Sequence, residues 1–178
     1  AGVWYEDSKL VSKSENLKSE IIEQSFNGEF FIDNAIRNEF GKLQYTENIS
    51  EVCQYYAFFF DVANPDEEKF KKLHYKLLNE FGPERKNLGL YPNVAYANAF
   101  IGNYLRMELL LRWEKHSQII KECTGYFYQM ACITGTLWEH DSITGSLNHG
   151  FASYAGPIII KAILGLKEID IRNRIINL

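Results

Sequence analysis

From Leu10 to Leu164 the chain is written almost throughout in one pattern: apolar residues at three- and four-residue spacing, broken by glycine, proline and asparagine. A chain patterned this way builds its core by packing helix on helix. The stretch from Leu10 to Phe26 is rich in Lys and Glu, with Leu17, Ile21 and Ile22 on one side, as an outer helix requires, and Asn27-Gly28 stops it. Glu29 to Leu43 carries Phe30, Phe31 and Ile32 and the Phe40-Gly41 turn, and reads as a short extended piece. Ser50 supplies an N-cap for a helix through Val52, Tyr56, Phe59 and Phe60, whose apolar character on nearly every side implies burial.

Asn64-Pro-Asp-Glu67 is the sharpest local signal, with a capping residue, proline at the first helical position and acids facing the positive end of the helix dipole. It predicts a helix from Pro65 to about Phe81, buried through Phe70, Leu73, Tyr75, Leu77 and Leu78 and stopped by Phe81-Gly82-Pro83. Further helices follow over Asn98 to Trp113 and over Ser117 to Thr134, the second with Ile119, Ile120, Cys123, Phe127 and Met130 at helical spacing. A last helix covers Ala152 to Leu164, interrupted by Gly156-Pro157. No linker rich in Gly, Ser or Pro divides the chain, so residues 1–178 are read as one domain. Helix pairs joined by functional loops suit an (α/α) toroid or an α-solenoid, and the lack of a fixed-period repeat weighs against the solenoid.

Composition narrows the function classes. The chain is 46% hydrophobic and 15% aromatic, enough for a core, and its net charge of -4 gives no electrostatic reason to expect nucleic acid or an anionic membrane as partner. No run approaches the length of a membrane span. The start, Ala1-Gly-Val-Trp-Tyr-Glu6, has no initiator Met, basic n-region or apolar h-region. Cys53, Cys123 and Cys132 have no metal spacing and read as buried free thiols. His140 and His149 with Glu139 and Asp141 lack the paired-histidine spacing of a zinc site. No Gly-x-Gly-x-x-Gly loop, P-loop or Gly-x-Ser-x-Gly elbow is present, so neither a metal nor a nucleotide cofactor is expected.

The chemistry concentrates in Thr134-Gly-Thr-Leu-Trp-Glu-His140 and Ser146-Leu-Asn-His-Gly-Phe-Ala-Ser153. Trp138 can lie against the apolar face of a pyranose, Glu139 can take a proton from water, and His149 can hold a hydroxyl. That wording resembles the α-L-rhamnosidases of glycoside hydrolase family 78, in which a Thr-Leu-Trp-Glu segment precedes an Asn-His-Gly or similar turn and a helix. Here these are Thr136 to Glu139, Asn148 to Gly150 and Phe151 to Leu164. Phe31-Ile-Asp-Asn-Ala35, the stretch from Thr46 to Phe60, and Asn98 to Arg106 also resemble segments of that family's catalytic domain, in the same order, so the likeness covers about Phe31 to Gly165.

The resemblance implies an all-α fold, a partial (α/α)6 toroid of which this chain is the C-terminal portion. A full ring of twelve helices with its short connections needs roughly 200 residues before any active-site loops are added. It implies inverting hydrolysis of terminal α-L-rhamnose, with Glu139 as general base and a general acid ~6.5–9.5 Å from it. It also implies that His149 meets the sugar. No segment here resembles the family's general-acid motif, so the chain alone is expected not to turn over. Asn148, Glu51, Tyr56 and Asp33 complete the candidate sugar contacts. Glu51, Tyr55 and Tyr56 open a helix whose N-terminus would point into the toroid's funnel, and Asp33 and Asn34 could reach hydroxyls there. Capping and packing are the alternative roles for these residues, and core packing is the alternative for Trp138. His140 is read as supporting structure, and Asn98 and Asn103 as satisfying backbone groups.

The expected partner is a rhamnoside, with a homodimer or the remaining part of a catalytic domain covering unpaired helix faces. Location is periplasmic or extracellular by the resemblance alone. Two alternatives remain: a non-catalytic helical module that binds sugar or protein, and a six-hairpin glycosidase for a different sugar.

Overall fold

The computed structural model describes residues 6–166, 168–170, 173 and 175–177. They are mostly helical. The first helix, α1 (Ser8–Ser25), starts at Asp7, whose carboxylate accepts the N–H of Lys9 and of Leu10. It buries no residue, and Leu17 is exposed, while Ile21 and Ile22 pack against the core, the outer-helix role its charge pattern predicts.

Asn27 then turns the chain, its side chain accepting the N–H of Glu29 and Phe30. Next comes a hairpin, β1 (Ala35–Arg37) antiparallel to β2 (Leu43–Tyr45), in the stretch predicted to be extended. Thus the fold is not purely α. Its remaining short strands are β3 (Ile49–Ser50), parallel to β4 (Val94–Ala95), and β5 (Glu168–Asp170), antiparallel to β6 (Ile175–Asn177).

Ser50 caps α2 (Glu51–Phe59) as expected, accepting the Cys53 N–H at 3.2 Å. The buried side of α2 is Glu51, Gln54, Tyr55, Ala57 and Phe58, whereas Tyr56 and Phe60 are exposed and stack on each other. Burial on every side was therefore too broad an expectation, because only one side of α2 meets the body of the molecule.

Helix α3 (Glu68–Asn79) begins three residues after the predicted Pro65. Asn64 spends its side chain on a turn, accepting the Asp66 N–H at 3.0 Å, and Glu67 N–H closes that turn on the Asn64 carbonyl, so the helix starts only once the turn is complete. Phe70, Leu73 and Leu77 are buried; Tyr75 is exposed, a correction to its expected place in the core. The short α4 (Arg85–Leu88) leads to β4.

Helix α5 (Ile101–Arg112) is the centre of the molecule. Leu105 and Leu109 join Phe30, Phe31, Phe58, Phe70, Leu73 and Leu77 in one core cluster, while Met107 and Leu110 join Ile119, Phe127, Trp138 and Ile158 in a second. A helix shared by two clusters has apolar residues on both sides, and this is why Asn98 to Trp113 reads as buried.

The segment predicted as one helix over Ser117 to Thr134 is α6 (His116–Glu122), a π-helical turn over Cys123–Phe127, and α7 (Tyr128–Thr134). The Thr124 hydroxyl donates to the Ile120 carbonyl at 2.8 Å and loosens the ladder there. A 3₁₀ turn (Gly150–Tyr154) precedes α8 (Ala155–Leu164). Gly156-Pro157 does not interrupt this helix. Pro157 lies in its first turn, where an N–H has no helical partner to lose. Of the thiols Cys123 is buried as expected, but Cys53 is half-buried and Cys132 is exposed; all are free.

A chain of buried charges ties these helices together. The Glu51 carboxylate accepts from Arg85 Nε (3.0 Å), Gly82 N–H (2.9 Å) and the Tyr55 hydroxyl. Arg106 Nη1 donates to Tyr55 Oη at 3.2 Å, and its Nε and Nη2 clamp Glu122 at 2.7 Å each. Arg85 spends its remaining donors on the carbonyls of Leu90, Tyr91, Val94 and Ala95. Opposite charges are paired and donors filled, which offsets the cost of taking these groups out of water. Burial lifts the Tyr55 phenol well above its ordinary value, keeping it a donor.

Candidate functional site

The loop between α7 and the 3₁₀ turn is folded back on itself. Gly135 ends α7 in the left-handed conformation. Beyond it, His149 N–H donates to the Leu137 carbonyl at 2.9 Å, Glu139 N–H to the Ser146 carbonyl at 2.9 Å, and the Thr136 hydroxyl to the Leu147 carbonyl. The loop is also fixed to the body. Ala99 N–H donates to the Glu139 carbonyl at 3.1 Å, and the Ala99 carbonyl accepts the Tyr154 hydroxyl at 3.2 Å. Glu139 thus sits against the entrance to α5.

Its carboxylate is partly open, with the side chain 30% exposed. Oε2 accepts the Ser146 N–H at 3.2 Å, and Oε1 lies 3.9 Å from His140 Nε2. One oxygen is anchored to backbone while the other keeps lone pairs free to accept a proton. Two residues on, Asp141 pairs with Lys86 on α4 at 2.9 Å, and that hydrogen bond and charge raise the Lys86 pKa.

Between the Lys86–Asp141 pair and Glu51 lies a polar cavity of about 20 Å³, lined by Glu51, Lys86, Tyr96, Asn103, Tyr126 and Asp141 among others; Glu139 is not part of its lining. That is room for roughly one water. Burial pushes the Tyr126 phenol up, so it stays protonated as a donor.

The structure brings Trp138, Glu139, Asn148 and His149 onto this one loop. Asn148 is exposed. His149 is half-buried, its imidazole edge-on to Phe100 at 4.8 Å between ring centroids. Trp138 is only 4% exposed, and its indole N–H donates to Thr134 Oγ1 at 2.7 Å. Its ring is covered, which corrects the expectation of an open sugar platform and fits its alternative role as a core plug.

Glu51 approaches the same cavity, but both its oxygens are taken by the buried network. Asp33 and Tyr56 lie elsewhere. Asp33 Oδ1 accepts the N–H and hydroxyl of Ser50, holding the start of α2. Both residues line a groove against α1 that shares no lining residue with the cavity. They are not gathered with Glu139: at the start of α2 it is Glu51 that faces the cavity, while Tyr56 faces the groove beside α1.

Sequence reasoning passed over Gly145 and Lys86, took Ser146 only as the start of the second loop segment, and weighed Asp141 only as a zinc ligand that it rejected. Gly145 carried a signal: a glycine in a polar loop marks a positive φ or a close approach, and here it is both, with φ +75°. Among the described residues, no group of three or more His, Cys, Asp or Glu is placed to hold a metal ion, and no helix is long and apolar enough to cross a membrane. No family model, curated protein or solved structure matches the chain.

Proposed function

We propose that this chain carries the general-base side of an inverting glycoside hydrolase that removes terminal α-L-rhamnose, on part of an (α/α)6 toroid. The observation that carries the reading is the Glu139 carboxylate, with Oε2 bound to a backbone N–H and Oε1 open beside solvent. In this role Oε1 takes a proton from water as the water oxygen attacks the anomeric carbon. The departing oxygen leaves from the opposite face, protonated by an acid ~6.5–9.5 Å away. Geometry of this kind suits a base because its orientation is fixed before substrate arrives.

His149 and Asn148 lie on the same loop and offer an imidazole and an amide to sugar hydroxyls. Trp138 acts through the loop, fastening the residue before Glu139 into the core. Tyr128, Ile133, Ile160, Ile163 and Leu164 on α7 and α8 are exposed. Apolar faces of this kind support a chain that packs against further helices, whether those of a partner copy or of a larger catalytic domain.

The test is calorimetric titration with L-rhamnose, with Glu139→Gln in parallel, alongside a p-nitrophenyl rhamnoside assay. Binding without turnover, weakened by the substitution, is the expected result. Turnover by the chain alone would contradict the absence of an acid; binding indifferent to Glu139 would contradict the site.

A further inference from the structure

We propose that Gly145 and Ser146 form a backbone cradle that aims the Glu139 carboxylate, making them positioning residues for the base; the inference rests on the glycosidase reading for its function, though not for its geometry. A Cβ placed on Gly145 would stand 2.9 Å from His140 Cδ2 and 3.1 Å from Glu139 Oε2. The absence of a side chain at this position is therefore what lets the Glu139 carboxylate and the His140 ring lie over the turn. With φ at +75°, the turn also holds a backbone conformation that L side chains rarely adopt.

This conformation directs the next N–H, that of Ser146, at Glu139 Oε2. The reciprocal bond, Glu139 N–H to the Ser146 carbonyl, sets the carboxylate's root at the same place. Held at both ends, the side chain has one oxygen committed and Oε1 turned toward His140 and solvent. A base loses rate when its attacking lone pair wanders, so fixing one oxygen by backbone confers orientation without a cation that would quench basicity. Lys86, which reaches the same loop, is paired with Asp141 instead.

The cradle is tested by following backbone amide shifts in a pH titration. In the wild-type chain the Ser146 amide proton, bonded to the Glu139 carboxylate, moves with pH, and in Glu139→Gln it does not. In Gly145→Ala the Ser146 response is lost while the His149 amide, bonded to Leu137 in the same loop, keeps its position. L-rhamnose binding by Gly145→Ala weakens on the order of tenfold, the effect of a strained positive-φ residue. A Ser146 amide with the same pH response in wild type and Glu139→Gln, or one that survives intact in Gly145→Ala, overturns the proposal. If Gly145→Ala disorders the loop, the comparison of wild type with Glu139→Gln still decides the hydrogen bond. Absence of rhamnose binding by the wild-type chain counts against the glycosidase reading alone, and the amide titration then decides the cradle.

Discussion

Glu139 and Ser146 are joined twice, the N–H of Glu139 to the carbonyl of Ser146 at 2.9 Å and the N–H of Ser146 back to Glu139 Oε2 at 3.2 Å. These two hydrogen bonds close a loop whose tip is also fastened by the Lys86–Asp141 pair and by the contact between the Ser142 and Thr144 hydroxyls. The carboxylate proposed as the base therefore belongs to the bonds that close the loop.

The Lys86–Asp141 pair is exposed enough that it contributes little to global stability. Lys86→Met should cost about 0–1 kcal/mol in urea unfolding, and less in high salt. A double-mutant cycle with Asp141→Asn gives the coupling directly; a value well above that range would mean that the loop and α4 are a single cooperative unit.

Arg106 is a different case. It is 2% exposed and bonded to Glu122, Tyr55 and the Leu77 carbonyl, so Arg106→Met leaves the half-buried Glu122 carboxylate without its cation, bonded to Gln118, and should destabilise by about 3 kcal/mol. Chemical denaturation of the variant measures this. A loss under about 1 kcal/mol would show that Glu122 finds water instead.

Trp138 fastens the site loop to the core cluster of α5 and α8. Trp138→Ala should cost about 3–5 kcal/mol through the cavity it leaves. Trp138→Phe should lose only the bond to Thr134, about 1 kcal/mol. Matching losses in the two variants would mean the indole packs less tightly than its burial implies.

His74 gives stability a pH dependence. Burial lowers its pKa, with the Lys115 charge adding to the shift, and Nε2 is enclosed with no hydrogen-bond partner among the described residues. The folded state therefore resists protonation that the unfolded chain accepts below about 6.5. This contribution is complete above that pH and is lost as the pH falls through the lower folded value. Urea midpoints at about pH 7.5 and about pH 5.5 should diverge more in the wild type than in His74→Phe. Equal divergence would place the acid sensitivity elsewhere.

Much of the helical framework was legible because its signals are local. Ser50 caps where a serine before an apolar run should, and the polar face of α1 follows from its Lys and Glu spacing. What periodicity does not encode is the identity of the neighbour. Tyr56 and Tyr75 sit at plausible core spacings yet are exposed, Tyr56 at an open groove beside α1 that the helix does not fill. Asn64 shows the same limit at short range: its side chain serves a turn and a helix start equally well, and the turn won.

The site was legible to a different degree. Glu139, Asn148 and His149 were readable as a loop because they are close in the chain. Glu51 was read as a funnel acid, but its true surroundings, with Arg85 and Tyr55 completing its hydrogen bonds, depend on residues 34 and 4 positions away and on a buried dielectric no local pattern reports. Trp138 was misread as open for the same reason, since what covers it comes from α5 and α8.

The most direct measurement is calorimetric titration of L-rhamnose into the wild-type chain and into Glu139→Gln. Saturable binding by the wild type, weakened in the variant with no rhamnoside cleavage by either, is the result predicted for the base-bearing side of a glycosidase; equal binding by both, or cleavage by either, would contradict it.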